Sequence, residues 1–462
     1  MTLPAEFIEK YQKLLGEESN NFFEAIDKQS KKGFRLNPLK YNYQDVQYSL
    51  KEPIEFTSDG YYGGVSGRDS EWTGGYVYSQ DPSAMYPAVA LDVKPGDIVL
   101  DLCAAPGGKS TALASALRNE GVLVANEISR SRAKDLRENL ERWGATNVVV
   151  TNESPDRLAK KMPTFFDKIL IDAPCSGEGM FRKDPDAMQY WSQEYVITCQ
   201  TRQKEILAEA MKMLKPGGEI VYSTCTYSPE EDEEIVAWLV ENYNLKVEPL
   251  KLFKGMSSGR PDWTGANLPD LKETVRLWFQ NGVGEGQFVA RLRNTEENGN
   301  NESKNEKRKK KRQKKTTVTR LNKEEIATVE KVITNFVLPT GLENWQKEVL
   351  QSNGHVFVPA LDPEILNDLH ILNNGVELGL LKKKRFEPSH QLAEVLGQKE
   401  QGQLINFEDK ANYERYLHGE TIKVDSKLRG FVLVAYRNHI FSFGKIGNDQ
   451  ILKNFYPKGL RK

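Results

Sequence analysis

Between residues 97 and 225 the chain alternates two kinds of segment, and this alternation restricts its fold more than any other feature. Five short, nearly continuous apolar runs occur there: DIVLDL (97–102), GVLVANE (121–127), NVVVTN (147–152), DKILIDAP (167–174) and GEIVYSTC (218–225). Helix-like stretches such as KSTALASALRNE and SRAKDLRENLERWG lie between them, the second ending at Gly144 as a C-cap. A strand that is apolar on both sides must be covered on both sides, and a strand–helix repeat supplies that cover. The predicted fold class is therefore α/β, a parallel sheet sandwiched by helices over residues 76–293. After Cys225, KVEPLKLF and the pair VRLWF and QFVARL, joined by NGVGEG, predict antiparallel strands that finish the sheet.

The remaining chain divides by composition. Residues 1–75 read as helical and then turn-rich, with too few regular apolar positions for a large core, so this region is expected to pack on the α/β domain. Residues 294–317 are almost devoid of apolar side chains and predict a disordered linker. Nine of the twelve residues from Lys304 to Lys315 are basic, a pattern of solvated linkers that can also hold phosphates without reading sequence. Residues 318–385 mix helix and loop. In 386–462, GFVLVAY and HIFSFGKI, separated by Arg437-Asn438, predict a hairpin within a small β-rich module. No apolar stretch reaches the ~18 residues of a membrane span, and the acidic amphipathic start is unlike a signal peptide. A cytoplasmic protein is expected.

The unusual residues gather at strand ends, where open α/β sheets bind ligands. The first strand runs into Asp101-Leu102-Cys103-Ala104-Ala105-Pro106-Gly107-Gly108-Lys109, and the second ends at Glu127. The fourth ends at Asp172-Ala173-Pro174-Cys175 and the fifth at Ser223-Thr224-Cys225-Thr226. The glycine segment is not a P-loop, because Cys103 stands where that motif requires glycine, nor is it a dinucleotide fingerprint. Gly107 and Gly108 allow close backbone approach, and Glu127 can accept from both hydroxyls of a ribose. An adenosine-containing ligand such as S-adenosylmethionine fits this combination. Asp172-Ala173-Pro174-Cys175 lacks the second proline and aromatic residue that exocyclic amine methylation would call for.

All four cysteines (Cys103, Cys175, Cys199, Cys225) fall within one stretch, at spacings that fit neither structural zinc nor a disulfide framework. Cys199 reads as a structural residue of a helix. The five histidines all lie in the last quarter, so chemistry at the cysteines must proceed without histidine unless the tail folds over them. Cys175 and Cys225 are both candidates for an attacking thiolate, with Lys109 as a nearby cation that could lower a thiol pKa.

In DLCAAPGGKST, ANEISRSRA, ILIDAPCSGEGMFRKDP and VYSTCTYSPEEDE the chain resembles the Nop/Sun family of RNA cytosine-C5 methyltransferases, and within it the bacterial branch acting on 16S rRNA of the small ribosomal subunit. FRLNPLK, YSQDPSAM and the terminal KNFYPKGLR extend the resemblance. It implies a Rossmann-like class I methyltransferase sheet, a helical N-terminal RNA-recognition region and a PUA-like RNA-binding module at 386–462. It also implies S-adenosylmethionine bound by Cys103–Lys109, Glu127 and Asp172, with Cys225 as nucleophile, Cys175 assisting release and Asp172 touching the base. Where relatives carry an aspartate near the adenine, this chain has Ser154. The implied partner is RNA, with no metal and no membrane, and the enzyme is expected to be a monomer. The same chemistry on tRNA or another RNA, or a non-catalytic assembly factor, are the alternatives.

Overall fold

The computed structural model describes residues 3–183, 186–296, 318–383 and 385–461; the basic run Lys304–Lys315 lies outside them. The five apolar runs are strands β1 (Ile98–Asp101), β2 (Val122–Asn126), β3 (Val148–Thr151), β4 (Phe166–Asp172) and β5 (Leu214–Thr224). They lie parallel in the order β3-β2-β1-β4-β5. Beyond them come β6 (Leu245–Glu248), β7 (Met256–Ser258), β8 (Val275–Leu277) and β9 (Gln287–Asn294), with β9 antiparallel to β5, β6 and β8.

Period-two alternation explains the two faces. Val99, Leu123, Val150 and Leu170 pack with side chains of α1 (Gly108–Leu117) and α2 (Arg130–Trp143). Their neighbours Leu100, Val124, Val149 and Ile169 pack instead with α3 (Pro155–Lys161), α4 (Gln193–Met213) and α5 (Glu233–Asn242). The expected C-cap Gly144 ends α2 with φ +79°. Strand order reverses between β1 and β4, which opens a ligand crevice at their carboxyl ends.

A tenth strand, β10 (Ile371–Asn374), pairs antiparallel with β3. It comes from the region expected to be a separate domain. An edge strand leaves a row of backbone groups unpaired, and β10 satisfies them.

At the N-terminus, helices Ala5–Leu15 and Ser19–Ile26 bury Phe7, Tyr11 and Phe22 against Trp191, Tyr227 and Phe279, so this region does lean on the α/β domain. Three short strands, Gly33–Leu36, Gly60–Tyr62 and Val77–Ser79, form a small sheet that the sequence pattern missed because each has only three or four residues.

The predicted hairpin is present as Gly430–Tyr436 and His439–Ile446. Arg437 and Asn438 have φ of 53° and 64°, the signature of a type I′ turn. The boundary expected at 385/386 falls inside another hairpin, Val376–Lys382 with Arg385–Pro388. Leu378, Leu392 and Leu396 share one core with Leu433 and Phe443, so the two C-terminal modules are packed as a unit. Among the described residues no helix is long and apolar enough to cross a membrane.

Candidate active site

The glycine loop after β1 is held from several sides. Ala104 N–H donates to Asn126 O at 2.8 Å, Arg132 to Ala105 O at 2.7 Å and Asn139 to Pro106 O at 2.8 Å. Arg35, from the small N-terminal sheet, donates through NH2 to Gly108 O and to Thr111 Oγ1, both at 2.6 Å. Gly107 has φ +116°, a conformation that favours glycine, and a Cβ on Gly108 would stand 3.0 Å from Gln80 Nε2, so that side chain would have to give way. Asp101, fully buried behind the loop, accepts from Ser110 Oγ at 2.6 Å, while its Oδ1 makes no hydrogen bond among the described residues. Burial pushes its carboxyl up to about 7, against the opposing pull of Ser110 and Lys109.

Glu127 is buried at the end of β2 and accepts from Ser129 N–H at 2.8 Å. Its neighbour Ile128 is 67% exposed, an apolar side chain left in water beside an acid. Asn152 Nδ2 donates to Glu127 O (2.7 Å) and Ile128 O (2.9 Å), fixing that turn. Ser154 precedes α3, and its hydroxyl donates to Asp156 Oδ1 at 2.5 Å. That hydrogen bond, with Lys160, holds the Asp156 carboxyl down at about 2. Ser154 and Asp156 thus stand at this place as a hydrogen-bonded pair.

Across the crevice, Asp172 Oδ2 accepts from Lys109 Nζ at 2.6 Å, and Oδ1 accepts from Ser223 Oγ (2.7 Å) and Gln287 Nε2 (2.8 Å). Burial works to lower the Lys109 ammonium, but Asp172 outweighs it and the net shift is upward. The thiols of Cys175 and Cys225 lie 3.4 Å apart. The hydrogen bond to Cys225, then burial, pushes the Cys175 thiol well above its ordinary range. Cys103 is raised by burial and by the Asp101, Glu127 and Asp172 carboxylates, which keeps it a thiol. Cys199 is buried in α4, in line with a structural role.

The cysteine loops are tied together by neighbouring residues of the same two motifs and by Gln203, Arg276, Trp191 and Tyr11, which no motif singled out. Gly179 N–H donates to Cys225 O at 2.8 Å. Glu231 accepts from Ser176 N–H (2.9 Å) and from Gln203 Nε2 (2.9 Å), and Ser176 Oγ bonds Thr226 Oγ1 at 2.9 Å. Thr224 Oγ1 donates to Asp232 Oδ1 at 2.6 Å, and Arg276 Nε to Glu233 Oε1 at 2.8 Å. Glu178 accepts from Trp191 Nε1 and Ser228 Oγ, each at 2.9 Å, and from the Tyr11 hydroxyl. For the residues outside the motifs, the signal in the sequence was the dense acidic run Glu230–Glu234, whose buried members need partners. The tail folds back on the N-terminal segment, where His439 bonds Ser70 Oγ and Asp45 O. Among the described residues no group of His, Cys, Asp and Glu could hold a metal ion.

Four family models match the chain. Residues 88–293 match 16S rRNA methyltransferase RsmB/F and residues 3–82 match the N-terminal domain of 16S rRNA methyltransferase RsmF. Residues 335–396 match the RsmF rRNA methyltransferase first C-terminal domain, and 408–462 the methyltransferase RsmF PUA domain. The ribosomal RNA small subunit methyltransferase F of Vibrio vulnificus (strain YJ016) is 31% identical over 99% of this chain and 97% of its own length. A tRNA (cytosine(49)-C(5))-methyltransferase of Pyrococcus abyssi is 36% identical over 62% of this chain and 95% of its own. The crystal structure of a methyltransferase homolog protein from Pyrococcus horikoshii superposes with a TM-score of 0.56 at 33% identity, covering 62% of this chain and 94% of that one. With a Rossmann-like methyltransferase sheet, a helical N-terminus, a C-terminal PUA domain and relatives matched end to end, the chain belongs to the RsmF family of rRNA methyltransferases.

Proposed function

We propose that this chain transfers a methyl group from S-adenosylmethionine to C5 of a cytosine in 16S rRNA, with Cys225 as the nucleophile. The observation that carries the reading is two thiols 3.4 Å apart on the same rim as the Asp172–Lys109 pair. The cofactor's residues fit it: the glycine loop Cys103–Lys109 offers backbone to its amino-acid end, Glu127 takes the ribose hydroxyls, and exposed Ile128 can cover one face of the adenine. Ser154, with Asp156, offers an acceptor to the adenine amine. The cofactor supplies an electrophilic methyl group to this site.

Cytosine C5 is a poor nucleophile, so it must be activated covalently. The Cys225 thiolate adds to C6 while the Asp172–Lys109 pair delivers a proton towards N3, leaving C5 enamine-like and able to take the methyl group. Forming the C6–S bond removes the hydrogen bond that most raises Cys175. Cys175 then ionises more readily, loses its proton to solvent and accepts the C5 proton. The C–H electrons restore the C5–C6 double bond and expel Cys225 as thiolate, and N3 gives its proton back to the Asp172–Lys109 pair. The target base must leave any helix to reach this rim.

The same chemistry on tRNA is a second reading, favoured by the Pyrococcus abyssi relative. That relative matches 62% of this chain, whereas the matches to RsmF C-terminal and PUA domains at 335–396 and 408–462 favour rRNA. The reading places the enzyme in the cytoplasm, acting as a monomer. The test is transfer of labelled methyl to unmodified small subunits, their free RNA and tRNA, with nucleoside analysis. 5-Methylcytosine in rRNA that disappears with Cys225→Ala supports the reading. Product formed by that variant refutes the nucleophile, and label confined to tRNA refutes the substrate.

A further inference from the structure

The N-terminal segment, α1 with the residues before β1, and the C-terminal region line a second cleft, of about 870 Å³. None of Cys103, Asp172, Cys175 or Cys225 lines it. Arg118 and Asn119 on its wall follow the end of α1 opposite Gly108 and Lys109. At ~1.5 Å of rise per residue, the ten residues of α1 separate that end from the cofactor loop by roughly 15 Å.

Its chemistry is uneven. The walls mix apolar and aromatic side chains, among them Tyr43, Phe56 and Val89, with the polar ones of Ser58, Ser115 and Gln398. The mouth carries Lys94, Arg118 and Lys399. Lys94 pairs with Asp92, whereas Arg118 and Lys399 make no ion pair among the described residues. Asp59 is the one carboxylate in the lining.

Arg35 forms the floor at 1% exposure. Its Nε donates to Gln80 Oε1 and its NH2 to Gly108 O and Thr111 Oγ1. Its Nη1 is ion-paired with the Asp59 carboxylate at 3.7 Å.

We propose that this cleft binds one unpaired nucleotide of the RNA substrate, with its base against Tyr43 and Phe56 and its phosphate at the Arg118–Lys399 mouth. The inference rests on the proposed RNA methylation. Aromatic walls behind a cationic mouth are the chemistry of single-stranded nucleic-acid binding, and the volume falls within the ~300–1,000 Å³ range of small-ligand sites.

The test measures binding of transcribed 16S rRNA by the full chain across a potassium chloride series. Two variants are compared with wild type: Arg118→Glu/Lys399→Glu, which reverses the mouth, and Ala116→Trp, which fills the cleft without changing charge. Both should weaken RNA binding roughly tenfold and reduce the magnitude of the salt slope by about one phosphate contact, ~0.7–0.9, while S-adenosylmethionine affinity stays at the wild-type value. Unchanged RNA affinity in either variant overturns the proposal; loss with the charge reversal alone would mean surface attraction without occupancy of the cleft. Adenosine monophosphate that binds wild type but not Ala116→Trp, without competition from RNA, would assign the cleft to a free nucleotide and also overturn it. Wild-type methyl transfer to the same RNA, read in parallel, separates failure of this proposal from failure of the functional reading.

Discussion

Gly179→Ala should slow methyl transfer without touching either ligand. The added Cβ would stand 2.7 Å from Cys225 O and 2.8 Å from Glu285 O. Close carbon–oxygen contacts across protein backbones settle at about 3.3 Å, so each carbonyl must retreat by roughly half an ångström. Both are backbone atoms, and one belongs to the proposed nucleophile. Overpacking of this kind costs about 1–3 kcal/mol of stability. A misplacement of ~1 Å at a reacting centre costs on the order of a hundredfold in rate, so half that shift predicts a loss of roughly tenfold. The assay is single-turnover transfer at saturating RNA and cofactor, with both dissociation constants measured separately. Gly177→Ala is the control: its φ is +73°, but nothing lies within 4 Å of the added Cβ. That variant carries about 1–2 kcal/mol of backbone strain yet leaves Cys225 in place, so its rate should stay near wild type. A wild-type rate for Gly179→Ala, or equal losses in the two variants, would refute the argument that this contact positions Cys225.

Cys175→Ala should permit attack but impede release, so a covalent protein–RNA adduct accumulates on denaturing gels; normal turnover without adduct removes Cys175 from the mechanism. Arg35→Met deletes the buried hydrogen bonds to Gly108 O and Thr111 Oγ1, each worth about 1.5–3 kcal/mol when charge-assisted. The loosened loop should bind S-adenosylmethionine at least ~10-fold more weakly, and an unchanged dissociation constant by calorimetry contradicts that role. Asp101 titrates at about 7 when folded and near ~3.9 when unfolded. The folded state therefore binds the proton more tightly, and stability falls as pH rises from ~4 to ~7, by at most about 4 kcal/mol. Asp101→Asn should lack this fall, and urea midpoints at pH 5 and pH 8 that decline equally in wild type and variant would exclude it.

Much of the site was legible because it was local. Strand ends are marked by where an apolar run stops, and the residues just beyond, Gly107, Gly108, Glu127, Asp172, Cys175 and Cys225, meet on one rim once the strands are parallel. Which thiol attacks was not legible from spacing, since Cys175 and Cys225 occupy equivalent strand ends; the choice came from resemblance to a family. Ser154 was marked by that same resemblance, but its pairing with Asp156 required coordinates.

The sequence by itself determined the parallel sheet, its two covered faces, the turn at Arg437-Asn438 and the clustering of reactive groups, because periodicity and turn chemistry act within a few residues. Only the tertiary structure decided what holds those groups in place. Arg35 reaches Gly108 across 73 positions, Gln287 reaches Asp172 across 115, and β10 closes the β3 edge from residue 371 onward. Each of these contacts satisfies a backbone or carboxylate group buried by the packing of distant segments. No local pattern announces such a partner, because the need for it arises only after the chain has folded around it.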